Sequence, residues 1–446
     1  MELATTFLKN APKNLEIITR ENPLYQYARV ISNTRFGKMP FCIAYCAEVA
    51  HVQYCINYCR DYKFPFRIRS GGHQHEGMCS ANNVIIIDLS KINQIEPIWE
   101  DEEKTAFLEA WIPAGKQLGQ VYDELDDYGK TIPGGGCQSV NVGGLTQGGG
   151  WGTSVRKFGL TCDSVLAIEM VLANGEFVTV TKKSHPELFW AVRGSGGGNF
   201  GVVIRFKFKL ASILPVTTNF SVSWEDPEKI KGVITQWATL HATQGGIDTN
   251  LSATCTMIKV RVKNSEVTQK NNTDEYTYEV HGRMAGKFYG SKNALKDLLL
   301  NYFGKWLKGK IDDDTFTEIP ENYSDTTSKS NQNESTANYA ASQRTLIDKI
   351  NPRIAAGYLK DQHDSCKKLD LTVLPNSGPS STCDQPHPHK ISSSFPKDDV
   401  NHEVLVTAIY EYLYKSCYYA DANMYMSFHC MGGKVTENAG TNAFGY

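Results

Sequence analysis

The sequence predicts an α+β protein of two domains, and three observations lead there. At 446 residues the chain exceeds what one ordinary core covers. From about residue 25 to 210 it is rich in glycine and alternates short apolar strands with helices. After Leu210 the glycines thin out, and strands and helices are joined by longer polar connections. The first domain is placed at 1–210 and the second at 211–400, with 401–446 returning to the first.

Taken in order, FCIAYCAEVAHVQYCINYCRDY (41–62) carries Cys42, Cys46, Cys55 and Cys59 at spacings that put each pair on one face of a helix. A metal site is the tempting reading there, and buried thiols acting as small apolar side chains the simpler one. VIIIDLS (84–90) is a compact β-branched strand, and TAFLEAWI (105–112) a second. QLGQVYDELDDYG (117–129) is an amphipathic helix that ends at glycine. SVLAIEMVLANGEFVTV (164–180) reads as two strands joined at Asn-Gly, and VVIRFKFKL (202–210) alternates apolar and basic residues. In the second domain the strands are NFSVSW (219–224) and YTYEVHGRMAG (276–286), and the helices are 227–242 and 291–303. The stretch 321–340 is polar and predicts an exposed loop. The helix at 402–417 and the strand at 423–431 close the chain.

Composition narrows the function classes. Hydrophobic residues make up 41% and charged residues 21%, as in soluble globular proteins. The net charge of −2, from 46 basic and 48 acidic residues, provides no basic field for nucleic acid or a membrane surface. No stretch approaches the roughly 18 apolar residues of a membrane span, and the N-terminus shows no signal peptide. The expectation is a soluble chain, either cytoplasmic or the mature form of a secreted one. Twelve cysteines occur without a CxxC pair, which leaves a disulfide framework open.

Glycine carries the functional signal. Three clusters stand out: RSGGHQHEG (69–77), PGGGCQSVNVGGLTQGGGWG (133–152) and RGSGGGNFGVV (193–203). Glycine is entropically costly to order, so its repeated placement points to backbone N–H groups approaching a large cofactor with phosphates. None of the clusters is a G-x-x-x-x-G-K-[ST] loop, and none is the G-x-G-x-x-G turn of a nicotinamide site.

These motifs, with RKFGLTCDSV and HPELFWAVRGSGGGNFGVV, resemble the berberine bridge enzyme-like FAD-linked oxidases. That family includes the oligosaccharide oxidases and belongs to the vanillyl-alcohol-oxidase, or PCMH-type, superfamily. The resemblance runs from about 25 to 210, thins to 385, and returns in HKISSSF (389–395), CMGGK and TNAFGY. It implies an FAD domain of two α/β subdomains and a substrate domain whose antiparallel sheet is backed by helices.

It also implies roles for single residues. His73 takes the place of the histidine bonded to the flavin 8α-methyl, and Cys137 that of the cysteine bonded to flavin C6. Arg69, Ser70, Gly71, Gly72, Gln74 and His75 are expected around the pyrophosphate. Val142, Gly143, Gly144, Gly149 and Gly152 are expected at ribityl and flavin, with Gly201 and Val203 nearby. Leu145 departs from the family, which often has histidine there. The chain stops inside a motif that in relatives runs on, so the return to the FAD domain is expected to be cut short.

The flavin would take hydride from substrate carbon, with O2 as the usual acceptor. A base that removes the hydroxyl proton eases that step. The family carries it on the strand before a GG pair, here Gly432-Gly433. Alternation puts Tyr425, Ser427 and His429 on one face of that strand. His429 stands where the base commonly sits, and the competing reading is that His429 and Tyr425 only line the pocket. A sugar or oligosaccharide is the first expectation for the substrate, and a secondary metabolite the second. A flavin-bearing binding protein without turnover is the reading from another class, and metal is expected nowhere.

Overall fold

The computed structural model describes residues 2–102, 104, 107–214, 216–242, 246–263, 276–307, 310–311, 315–320, 401–415, 425–429 and 440–443. The loop expected at 321–340, the segment 389–395 and the pair Gly432-Gly433 lie outside the described residues.

The first sheet holds β1 (Glu16–Thr19), β2 (Cys42–Tyr45), β3 (Phe66–Arg69) and β4 (Ile85–Asp88) in the order β1-β2-β4-β3. β2 and β3 run parallel to β4, and β1 antiparallel to β2. Helices α1 (Glu2–Asn10), α2 (Tyr25–Ala28) and α3 (Val49–Asp61) cover it. Cys42, Ala44, Ile85 and Ile87 pack with Phe7 and Cys55, whereas Ile43, Tyr45 and Ile86 pack with Tyr25 and Ala28. Burial on both faces is why this strand reads as an unbroken apolar run.

One helix over 41–62 is corrected here. The CIAY segment is a strand enclosed by β1 and β4, where the ladder satisfies its backbone, and the helix starts only at Val49. Cys42 and Cys46 therefore belong to the strand and its exit, and only Cys55 and Cys59 share a helix face. All four thiols are buried, and burial pushes that of Cys59 up to about 12. Among the described residues no group of three or more His, Cys, Asp or Glu is placed to hold a metal ion.

The second sheet is antiparallel, with β5 (Glu96–Trp99), β6 (Phe107–Pro113), β8 (Val165–Val171), β9 (Phe177–Thr181) and β10 (Val202–Lys209) in the order β5-β6-β10-β8-β9. A short pair, β7 (Lys130–Thr131) with β11 (Ala211–Ser212), lies beside it. Helices α4 (Leu118–Asp126), α5 (Val142–Gln147), α6 (Val155–Phe158) and α7 (Pro186–Val192) fill the connections. On β10 the alternation resolves as expected: Phe206 and Phe208 are buried, while Arg205 pairs with Glu169 at 2.6 Å and Lys207 with Glu109 at 2.5 Å on the other face. One apolar cluster, including Ile85, Ile112, Ile168 and Phe206, joins both sheets.

The third sheet has β12 (Val216–Trp224), β13 (Leu251–Lys263), β14 (Tyr276–Phe288), β15 (Phe316–Pro320) and β16 (Tyr425–His429) in the antiparallel order β15-β12-β14-β13-β16. Helices α8 (Pro227–Ala242), α9 (Lys292–Leu307) and α10 (His402–Lys415) back one face. Trp224, Cys255, Met257 and Met284 meet Ile230, Trp237, Phe303 and Tyr410 there, in a core separate from the first. The opposite face is polar.

Of the described residues in 401–446, expected to return to the first domain, those of α10 and β16 join the second core and the third sheet. Helix α10 buries Val406, Tyr410 and Leu413 in the second core, and β16 pairs with β13. The apolar stripe of α10, Val406, Tyr410 and Leu413, is what holds it there. Residues 440–443 do reach the first domain. Ala443 N–H donates to the Arg193 carbonyl at 2.9 Å, and Asn442 bonds to Asp163.

Candidate functional site

Three glycine clusters far apart in sequence converge between the first two sheets and the polar face of the third. The RSGGH loop leaves β3 at Arg69. Ser70 Oγ donates to the Ala114 carbonyl at 2.5 Å, and the Gly72 carbonyl accepts from Ser32 N–H at 3.0 Å. Gly72 adopts φ 69°, open to glycine at little cost. Gly71 lies against Asn141, whose Oδ1 would be 2.6 Å from an added Cβ. His73, half-buried, places Nε2 2.9 Å from Ser139 Oγ. Cys137 stands two residues before Ser139, also half-buried. His73 and Cys137 are thereby brought to one neighbourhood. Gln74 and His75 are exposed, with Gln74 Oε1 accepting from Met78 N–H and the His75 carbonyl from Asn33.

The second cluster is folded on itself. An added Cβ at Gly152 would lie 1.8 Å from the Gly134 carbonyl oxygen, so no larger residue fits there. Gly143 gives its N–H to the Ala114 carbonyl, and Gly149 has φ 95°. The third cluster is tied to α5, where the Gln147 carbonyl accepts from Gly194 and Gly196 at 3.0 and 2.8 Å. Gly201, at φ 144°, fits under the Val171 carbonyl.

At three of the expected positions the side chain turns into the protein. The Arg69 guanidinium is 1% exposed, paired with Asp88 and donating to the Ala28 carbonyl at 2.7 Å, so it anchors the loop rather than facing a ligand. Val142 and Val203 bury their side chains in the first core. Apolar packing outweighs exposure at these two positions.

The third sheet supplies the far wall. His429 on β16 meets the Trp151 ring edge-on, with centroids 4.3 Å apart, which joins the second glycine cluster to the polar sheet face. Partial desolvation holds the His429 imidazolium below its ordinary range, although part of the ring stays exposed. Register places Tyr425, Ser427 and His429 opposite Ile258, Thr256 and Thr254, and Ser427 Oγ stands 3.3 Å from Thr256 Oγ1. The Tyr425 side chain lies outside the described residues. Tyr122 donates to the Gly135 carbonyl at 2.8 Å, and burial pushes its phenol up.

FAD fits these residues. Added Cβ atoms at Gly136 and Gly144 would meet nothing within 4 Å, so both glycines border open space. Asn141 Oδ1 and Thr146 Oγ1 are buried without a partner beside the same loops, as suits a hydroxyl-rich chain lying over them. Sequence reasoning missed Asp88 and Ser139. The first was signalled by an acid closing an apolar strand, in register with Arg69. The second carried no signal beyond its place between Cys137 and Asn141.

Comparison with known proteins agrees with this geometry. Residues 40–181 match the family model described as an FAD binding domain. The uncharacterized FAD-linked oxidoreductase YgaK of Bacillus subtilis is 38% identical over 228 residues, 50% of this chain and 49% of that one. Berberine bridge enzyme-like 3 of Arabidopsis thaliana is 33% identical over 222 residues, 48% of this chain and 40% of that one. The chain thus spans half or less of the length of these curated relatives. Among solved structures, Phl p 4, a grass pollen allergen with glucose dehydrogenase activity, superposes with a TM-score of 0.57 at 25% identity, over 71% of this chain and 60% of that one. Residues 40–181 thus hold an FAD binding domain, and the matched half of the chain is similar to FAD-linked oxidoreductases and berberine bridge enzyme-like proteins.

Proposed function

We propose that the chain is an FAD-dependent oxidase that removes hydride from a hydroxyl-bearing small molecule, a sugar or oligosaccharide first. FAD is attached through His73 and Cys137, and O2 is the final acceptor. Two contacts support this reading: His73 with Ser139, two residues from Cys137, and Trp151 of the same glycine-rich segment with His429 of the third sheet. Imidazole and thiol are the nucleophilic side chains such attachment needs. The glucose dehydrogenase activity described for Phl p 4 supports the sugar class.

When bound, FAD supplies the acceptor for the hydride and passes the electrons on. The chain's own residues do the rest. His429, whose charged form is disfavoured by partial desolvation, takes the hydroxyl proton as hydride leaves the adjacent carbon. The Trp151 edge limits how far the imidazole turns. Tyr425, two residues away on the same strand face, is the alternative base.

The test is anaerobic mixing of the purified yellow protein with D-glucose, cellobiose and coniferyl alcohol. Sugar-dependent bleaching of the flavin, followed by hydrogen peroxide on readmitting air, is the expected result. Bleaching by coniferyl alcohol alone moves the substrate to the secondary metabolites. Bleaching without peroxide makes the chain a dehydrogenase, and no bleaching by any of the three or by D-glucuronate overturns the reading.

A further inference from the structure

The polar face of the third sheet is unevenly charged. Its side chains come from alternate positions: Ser252, Thr254 and Thr256 on β13, Arg283 and Lys287 on β14, Asn219 and Ser221 on β12, and His429 on β16. Around His429 the ionisable groups on this face are basic. Arg283 is exposed and donates through Nε to Ser221 Oγ at 2.8 Å. The acid of this face, Glu279, stands eight residues before Lys287 on β14, roughly 26 Å along the strand, and is paired with His281. From the first domain, α6 brings two more cations to this end. Lys157 donates to Asn250 at 2.5 Å, and Arg156 to the Ile247 carbonyl at 2.9 Å.

Lys287 is the exception among these cations. Arg283, Lys157 and Arg156 each have a protein acceptor. Lys287 is half-buried and has no hydrogen-bond or ion-pair partner among the described residues. Burial pulls its ammonium below the ordinary lysine range, with no carboxylate among the described residues working the other way. A desolvated cation without a counter-charge is a standing cost to the fold.

Its position is informative. Register sets Ser252–Lys287–Asn219 as one row across the sheet, and His429–Thr254–Ala285–Ser221 as the next row on the same face. Two strands and one row apart, the Cα atoms of Lys287 and His429 are about 12 Å from each other. A monosaccharide acid or a substituted benzyl alcohol spans the gap between two side chains reaching inward from such points.

We infer that Lys287 receives a carboxylate or similar anionic group of the substrate, so that the preferred substrate is an acidic hydroxy compound held with its reacting hydroxyl at His429. This deepens the oxidase reading and rests on it. The amine supplies a charge-assisted hydrogen bond that is strong in a site shielded from water. A neutral analogue leaves the ammonium unpaired, and the site discriminates against it for that reason.

The test uses the full chain and two matched pairs of probes: D-glucuronate with D-glucose, and 4-(hydroxymethyl)benzoate with benzyl alcohol. Binding is followed by tryptophan fluorescence, since Trp151 lies against His429. Flavin loading is read separately from visible absorption, so loss of cofactor and loss of acid preference are not confused. The wild type is expected to bind the acid of at least one pair tenfold or more tighter than its neutral partner. Lys287→Met should reduce that ratio at least tenfold, and Lys287→Arg should keep most of it. Equal binding within both pairs, no response to any of the four, or a preference that survives Lys287→Met overturns the inference. A colourless protein that still prefers the acid through Lys287 would instead count against the oxidase reading alone.

Discussion

Replacing Asp88 by alanine is expected to cost about 3–5 kcal/mol, because it leaves the Arg69 guanidinium charged, buried and unpaired. Asp88 closes β4 and Arg69 closes β3, in register across the parallel pair. The same carboxylate accepts from Ser90 N–H at 3.0 Å and from Ser90 Oγ. The loss propagates to function, since the RSGGH loop departs from Arg69. Urea unfolding of the wild type and the variant, with flavin content measured alongside, checks both effects. Should Asp88→Ala fail to fold, the double variant Arg69→Met/Asp88→Leu decides the matter. Removing both charges together is expected to restore folding, since an apolar pair carries no desolvation cost. A loss below about 1 kcal/mol would show that the pair does not hold the loop.

His429→Gln is expected to lower kcat by about 10²–10⁴-fold while flavin loading stays intact. Glutamine keeps the size and a hydrogen bond but accepts no proton. The pH dependence gives a second signature. Burial lowers the His429 pKa, so its neutral, base-competent form persists to a pH below the ordinary value of about 6.5. In the wild type kcat should stay level above neutrality and fall as pH drops through that lowered value. In the variant this acid limb should vanish. Stopped-flow flavin reduction across pH 4–9 is the measurement, and unchanged reduction in His429→Gln passes the base to Tyr425.

The sequence made some features readable and hid others for physical reasons. The glycine clusters were legible because close backbone approach tolerates little else, as the 1.8 Å Cβ distance at Gly152 illustrates. Alternation on β10 was legible because it has one dry face. Strand β13 went unread: its inward residues Leu251, Ala253, Cys255 and Met257 include small and sulfur-bearing side chains, interleaved with serine and threonine, so the period is weak. Strand β2 was absorbed into a helix because four-residue cysteine spacing looks helical while only the sheet reveals its enclosure. In the site, His73 and Cys137 were found through long ordered motifs. Asp88 and Lys287 were not, because a lone charge on a strand acquires meaning only once its neighbours are known. Their roles come from register, which no single segment encodes.

Acid precipitation of the purified protein tests the central claim most directly. If His73 and Cys137 both hold FAD, yellow flavin remains with the pellet in the wild type and in each of His73→Ala and Cys137→Ala, and it leaves only from the double variant. Free FAD in the supernatant of the wild type would contradict attachment at either residue, and a protein purified without flavin would contradict the oxidase reading itself.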